Sequence, residues 1–372
     1  MKISILQENL KKALSLTERF VSTKSQLPVL SNILLKADDN GFYLIATNLE
    51  TGVKFRIGAK IEKKGAITVP VKVFSEFINT LPSGTVMLEN VEEVLKVSLG
   101  SFKASFQTIN ASEYPEFPKS EEGKEKKISL KDLKTIAEKV GFAASSDDSR
   151  PVLTGILWDM GKSKSKLIAT DGYRLSLLSL PLKSVKGEEN KLLIPSFVSN
   201  EVVRVFGEIA EENVSMLWSK EQKQVFFASE DLEVVTRVLE GEFPNYQAVI
   251  PSDELIRINI RTDQLIQATK MAAIFARESA NIIKWKVGKK NLEISANSPQ
   301  LGENISIVEY EGEIDEEKEI AFNSRYLLDL FSHIDTEEVV FSMTEPLRPG
   351  VFYEKGKEKE FLHVVMPVRV QE

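Results

Sequence analysis

Cysteine is absent from the 372 residues, which excludes disulfides, thiolate metal sites and thiol nucleophiles together. Histidine is nearly absent. The two copies, His333 and His363, form no HExxH or comparable spacing, so histidine-based metal or Ser-His-Asp chemistry has little to work with. Both are expected to be partly exposed structural side chains. No run approaches the ~18–20 unbroken apolar residues of a membrane span, and the opening MKISILQENLKKALS is interrupted too often by polar groups to form a signal core. The expectation is a cytoplasmic chain with no membrane partner. A phosphate-binding loop is missing as well: the nearest approach, Gly155 followed by Gly161-Lys162-Ser163, has one residue too many between the glycines and runs through Ile156, Leu157 and Trp158, which read as strand. No metal and no cofactor are expected.

A hydrophobic fraction of 42% and a charged fraction of 28% are ordinary for a globular chain, and the length fits two or three domains. Self-similarity decides between them. Each third opens with an amphipathic helical pattern: Leu6, Leu10, Ala13, Leu14, Phe20 and Val21; then Leu130, Leu133, Ile136, Ala137 and Val140; then Leu265, Ile266, Ala268, Met271, Ala272 and Phe275. A strand pair follows each: SNILLKADDNGFYLIATNLETGVKF from Ser31, TGILWDMGKSKSKLIATDGYRLSLL from Thr154 and IIKWKVGKKNLEISANSPQLGENI from Ile282. Pro28 and Thr47 stand at one common offset from Pro151 and Thr170, and Ala169 stands at a similar one from Ala296. A second amphipathic helix comes next, in VPVKVFSEFINTLP from Val69, IPSFVSNEVVRVFG from Ile194 and FNSRYLLDLFSHID from Phe322, two of them with proline at the entrance. Alternating strands finish each copy. The reading is an α+β fold of three repeated domains, 1–120, 127–244 and 245–372, each with two helices packed on antiparallel sheets. The linkers are PKSEEGKEKKI, from Pro118, and EGEFPNYQAVIPSDE, from Glu240.

A net charge of −7 speaks against nucleic acid only if the charge is evenly spread, and it is not. The three opening helices with their flanks carry Lys11, Lys12, Arg19, Lys24, Lys131, Lys134, Lys139, Arg261, Lys270 and Arg277, against Glu8, Glu18, Asp132, Glu138, Asp263 and Glu278. Such helices build either an ordinary solvated face or a mildly basic surface that attracts phosphates without reading bases. Composition alone leaves both open.

In SRPVLTGILWDM from Ser149, ATDGYRLS from Ala169, LEGEFPNYQAVIP from Leu239, FNSRYLLDLF from Phe322 and VVMPVRV from Val364, the sequence resembles the bacterial DNA polymerase III beta subunit, the sliding clamp. The resemblance covers the whole chain. It implies a head-to-tail homodimer closing into a ring of six similar clamp domains around double-stranded DNA, with the replicative DNA polymerase, the clamp loader and other proteins that carry a clamp-binding motif as partners. It also implies a groove between the second and third domains for a short peptide of the Gln-Leu-x-Leu-Phe type. Carried over, the groove comprises Leu153, Thr170, Gly172, Tyr173, Arg174, Leu175, Pro244, Val249, Asn323, Tyr326, Val364, Val365, Met366, Pro367 and Arg369. The residue types suit that use, since Leu, Val, Met and Pro make an apolar trough and Met repacks around varied side chains. Lys24, Lys72 and Arg150 match basic positions of the family and are implied to face DNA, as Lys11 and Lys12 do on the basic-surface reading of the first helix, and Ile274 and Phe275 are implied to lie at the dimer seam. The chain departs from the family at Tyr173, where His is common, at Ala248, where some members have Arg, at Ser196-Phe197, which replaces a base-rich stretch, and at Gln371 and Glu372, which follow the last strand.

Two other classes compete. Asp147, Asp148, Asp159 and Asp171 fall within one domain, and paired carboxylates hold Mg²⁺ or act as acid and base in enzymes. Asp147, Asp148 and Asp171 also suit ordinary turns. The second competitor is a protein-docking scaffold that does not encircle DNA.

Overall fold

The computed structural model describes residues 1–22, 26–120, 125–182 and 190–369. Six α-helices lie among them: α1 (Gln7–Thr17), α2 (Val71–Thr80), α3 (Leu130–Lys139), α4 (Ser196–Glu208), α5 (Thr262–Ala276) and α6 (Ser324–Phe331). They alternate with short antiparallel strands, two helices to each third of the chain, as the repeat predicts. One unit of the structure comprises residues 1–131 and 201–238, the other residues 132–200 and 239–372.

In the first unit, a five-stranded sheet runs from Lys60–Lys63 through Lys2–Leu6, Thr85–Val91 and Val94–Leu99 to Phe102–Gln107. An eight-stranded sheet joins strands of two repeats. Leu232–Arg237 pairs antiparallel with Thr51–Ile57, setting Glu233 opposite Lys54 and Val235 opposite Gly52. The fully buried Phe20, Phe42, Phe74, Phe206, Phe226 and Phe227 fill the interior.

In the second unit, a single sheet of twelve strands does the same for the later repeats. Phe361–Val365 pairs with Arg174–Leu180, setting Val364 opposite Leu175 and Leu362 opposite Leu177. The third repeat centres on Trp285, whose ring meets Phe322, Phe341 and Phe352 edge on at 5.5, 5.1 and 5.9 Å. Gly350 is required there: a Cβ would stand 2.5 Å from Phe322 Cζ.

The repeat extends to single hydrogen bonds. Thr47 Oγ1 donates to the Thr51 carbonyl at 2.9 Å and accepts from Leu49 N at 3.0 Å. Thr170 Oγ1 likewise donates to the Arg174 carbonyl at 2.6 Å and accepts from Gly172 N at 3.1 Å. This turn forces positive φ at its third residue, +92° at Gly172 and 76° at Leu49.

Several sequence expectations need correction. Each opening helix is preceded by a strand, so Leu6 ends the strand Lys2–Leu6 and is 46% exposed. Phe20 and Val21 lie beyond α1, Phe20 in a 3₁₀ turn. On α5, Leu265, Ala268 and Ala272 are buried, but Met271 is 40% exposed; it sits off the stripe facing the sheet. His363 is fully buried rather than partly exposed, because its strand lies between Arg174–Leu180 and Gly350–Glu354. Lys139 does not belong to a basic surface. It is buried, with Nζ 2.6 Å from Glu354 Oε1 and 2.8 Å from Asp335 Oδ2, and it also donates to the His333 carbonyl. The nearby cation holds the Asp335 carboxyl below its ordinary pKa.

Candidate functional site

The resemblance-derived groove residues all fall in the second unit. Their floor is an apolar cluster in which Leu175 and Val364, adjacent across two strands, join Leu157, Ile168, Leu193, Tyr246, Val351 and Leu362. Val249 packs on it from the linker turn Tyr246–Val249. Strand alternation then places Val365 on the opposite face of the sheet, where it is fully buried. The cluster is packed by Val152, and Leu153 is buried beside it in sequence. Among the linker residues, Phe243 packs on the cluster and Pro244 is exposed. Sequence reasoning missed Val152, Phe243 and Ile250, although apolar residues in a polar linker were a usable signal.

The rim is built by the turn after the strand Ser165–Thr170. Asp171 Oδ1 accepts from Tyr173 N at 2.9 Å and Arg174 N at 3.0 Å, an Asx turn that fixes where both side chains emerge. Tyr173 is 60% exposed and its ring stacks on Tyr326 of α6, centroids 6.1 Å apart and planes 15° apart. Burial raises the Tyr326 phenol pKa above its ordinary value. Asn323 caps α6, its Oδ1 accepting from Arg325 N at 3.0 Å. Past the last strand, Met366 N donates to the Tyr173 carbonyl at 2.8 Å and Val368 N to the Ala321 carbonyl at 2.8 Å. Met366 and Pro367 are half-buried along this tail, and Arg369 is exposed.

Arg174 has its hydrogen-bonding groups committed inward. Its guanidinium donates to Asp171 Oδ2 at 3.0 Å, Asp329 Oδ2 at 2.7 Å and the Phe142 carbonyl at 3.0 Å, and it lies 4.9 Å from the Tyr326 ring centroid. It therefore braces the turn against α6 and the 3₁₀ turn Gly141–Ala143 that follows α3. Phe142 is in turn sandwiched between His333, at 4.2 Å and 5°, and His363, at 5.3 Å and 18°. His363 Nδ1 is 2.7 Å from Ser176 Oγ, while burial and the charges of Arg174 and His333 push its pKa well below the ordinary value. The turn at Asp171 was legible in the sequence; its pairing with Arg174 and the contributions of Asp329 and Phe142 were not.

The four aspartates of the rival reading are dispersed over turn and strand duties. Asp147 Oδ1 accepts from Ser149 N at 3.0 Å, Asp159 accepts from the Tyr246 hydroxyl at 3.4 Å, and Asp171 is held by Arg174. Among the described residues no three His, Asp or Glu side chains gather in a group able to hold a metal ion. None of the helices among them is long and apolar enough to cross a membrane. Lys11, Lys12, Lys72 and Arg150 are exposed, as is Ile274, whereas Phe275 is half-buried. Lys24 lies outside the described residues.

Family models describe three successive domains of the DNA polymerase III beta subunit: the N-terminal domain matches residues 1–118, the central domain 127–245 and the C-terminal domain 247–369. The beta sliding clamp of Bacillus subtilis is 28% identical over 99% of this chain and 100% of its own length, and that of Chlamydia pneumoniae is 25% identical over 100% of both. The crystal structure of the Thermotoga maritima DNA polymerase III beta subunit superposes with a TM-score of 0.91 at 28% identity, covering 100% of each chain. That of the Bacillus subtilis sliding clamp gives 0.93 at 26%, again over 100% of each. With all three domain models matched in order along one repeat, the chain belongs to the DNA polymerase III beta subunit family, the bacterial sliding clamps, and is a non-catalytic clamp of DNA replication.

Proposed function

We propose that two copies close head to tail on DNA through strand addition and that the second unit's groove tethers replication proteins by an extended peptide. The observation that carries the closure is a pair of open sheet edges. The last strand of the second repeat pairs with Thr51–Ile57 of the first, and the last strand of the third pairs with Arg174–Leu180 of the second. By the same rule the last strand of the first repeat, Phe102–Gln107, needs the third repeat's counterpart, Gly302–Glu311. Among the described residues Phe102–Gln107 ends its sheet, and Gly302–Glu311 is paired on its second side only at Tyr310 and Glu311. These edges carry Phe102, Ile305 and Ile307, exposed by 50, 54 and 58%, the kind of apolar edge that a partner strand covers. Two such heterologous contacts related by a twofold axis make a closed ring.

The helices agree. Arg19, Phe142 and Ile274 each follow an equivalent buried leucine, Leu10, Leu133 or Leu265, by the same spacing. Arg19 bonds Glu201 of α4 at 2.7 Å and Phe142 stacks on His333 just past α6. Ile274, 51% exposed, stands ready for α2 of a second copy, with Phe275 beside it. On this reading the three clamp domains are 1–120, 127–244 and 245–372. Lys11, Lys12, Lys24, Lys72 and Arg150 supply loose phosphate contacts, so retention rests on topology and binding to open duplex weakens as salt rises. The replicative polymerase, the clamp loader and other motif-bearing proteins share the groove, and a DNA partner places the chain in the cytoplasm.

The deciding experiment loads the protein with a clamp loader onto closed circular DNA: retention that is lost on linearisation, without nucleotide turnover by the clamp itself, supports encirclement. Retention on linear DNA equal to that on circles overturns it. For the groove, fluorescence anisotropy with a labelled Gln-Leu-x-Leu-Phe peptide measures the site directly. Micromolar affinity is expected for a short peptide with two or three anchors, and equal affinity for Met366→Ala places docking elsewhere.

A further inference from the structure

The first unit contains a cavity of about 620 Å³ at the pairing of Thr51–Ile57 with Leu232–Arg237, the repeat equivalent of the pairing that floors the groove of the second unit. Its chemistry differs. Leu34, Ile45 and Tyr114 form an apolar floor that packs with Tyr43 and Phe117, and Tyr114 is anchored by accepting from Thr47 N at 3.1 Å. Where the second unit has Leu177 opposite Leu362, this wall has Lys54 opposite Glu233. The Lys54 ammonium lies 5.2 Å from the Tyr43 ring centroid. Glu233 Oε1 is buried with no hydrogen-bond partner among the described residues, and burial raises the pKa of its carboxyl against the pull of Lys54. A buried acceptor without a donor costs free energy comparable to a lost hydrogen bond, and Glu233 with Lys54 lines a space of the size that small ligands and peptide side chains fill.

We propose that this cavity is a second peptide-docking site, for an extended segment of a partner protein in which a carboxamide side chain, Gln or Asn, stands next to an apolar residue. The apolar residue rests on Leu34, Ile45 and Tyr114. The carboxamide N–H donates to the Glu233 carboxyl while its carbonyl accepts from Lys54, so one neutral group satisfies both walls. A cation would meet Lys54 and a carboxylate would meet Glu233, and each carries a like-charge penalty in a site partly removed from water. The site is independent of the groove in the second unit.

The test uses the full chain labelled at isoleucine and leucine methyl groups and titrated with acetyl-Gln-Leu-amide, acetyl-Glu-Leu-amide and acetyl-Arg-Leu-amide. The Gln dipeptide shifts the Ile45 and Leu34 methyl resonances, and the Glu and Arg dipeptides bind at least about tenfold more weakly. Glu233→Leu and Lys54→Met each weaken the Gln response, and Met366→Ala leaves it unchanged; thermal melts verify that each variant folds. Unmoved Ile45 and Leu34 resonances, undiminished binding to Glu233→Leu, or preference for the Arg or Glu dipeptide each overturns the proposal.

Discussion

Two junctions between successive repeats use one strand pairing and one turn, yet they are finished differently. At the second, Leu175 faces Val364 and Leu177 faces Leu362, so the sheet presents a continuous apolar surface beneath the Tyr173–Tyr326 rim. At the first, Gly52 faces Val235 and Lys54 faces Glu233. The chain's own Phe117 enters the space that Gly52 leaves, its ring 3.1 Å from where a Cβ would stand. One backbone frame thus gives an apolar cluster in one place and a partly self-filled, charged cavity in the other. Cross-strand pairs, rather than the fold, set what each junction accepts.

The helix contacts diverge in the same way, and breaking them separates the junctions most sharply. Lys139 and Glu354 are 8% and 1% exposed, whereas Arg19, bonded to Glu201, is 59% exposed. Lys139→Ala leaves Glu354 in the interior, still bonded to the Asp335 N–H at 2.9 Å and to Lys357 at 3.3 Å but without its buried counter-ion, and is expected to cost ~3 kcal/mol or more, read as a lower urea midpoint. Loss below ~1 kcal/mol would place the pair among ordinary surface ion pairs.

Peptide docking is the next largest effect. Met366→Ala, which removes a half-buried side chain of the groove, should weaken the labelled Gln-Leu-x-Leu-Phe peptide by ~2 kcal/mol with dimer mass unchanged in sedimentation. Gly52→Leu gives the first junction the residue that Leu175 provides in the second. The added side chain meets Phe117, the Ala46 carbonyl and Val235 within 3.3 Å, so a loss of about 1–3 kcal/mol from overpacking is expected. An unchanged thermal midpoint would show that Phe117 leaves freely.

Acidification tests a buried imidazole of the second junction. His363 is neutral in the fold because burial, Arg174 and His333 lower its pKa, whereas the unfolded chain takes up a proton near the ordinary value of ~6.5. Stability from this group is therefore complete above that value and is lost as pH falls below it. Urea midpoints between neutral pH and pH ~5.5 should fall more steeply for the wild type than for His363→Gln, and parallel curves would remove His363 as the cause. The smallest effect belongs to Arg19→Ala at the first junction, within ~1 kcal/mol because the pair is solvent-screened and Arg204 also binds Glu201 at 2.7 Å.

The sequence by itself determined the threefold repeat, the α+β class, the helix and strand order and the family, because these rest on local periodicity and on motifs such as ATDGYRLS from Ala169. It also marked Asp171 as a turn residue, although its bond to Arg174 came from the structure. Tertiary structure decided the rest. That His363 is buried, that Lys139 serves an ion pair instead of a basic face, that Arg174 braces Asp329 and that Glu233 Oε1 lacks a donor among the described residues all depend on residues distant in the chain but adjacent across strands or at helix ends. Periodicity records which face of an element is buried; it does not record which distant side chain shares that burial, and the energies of charged and polar groups depend on that partner.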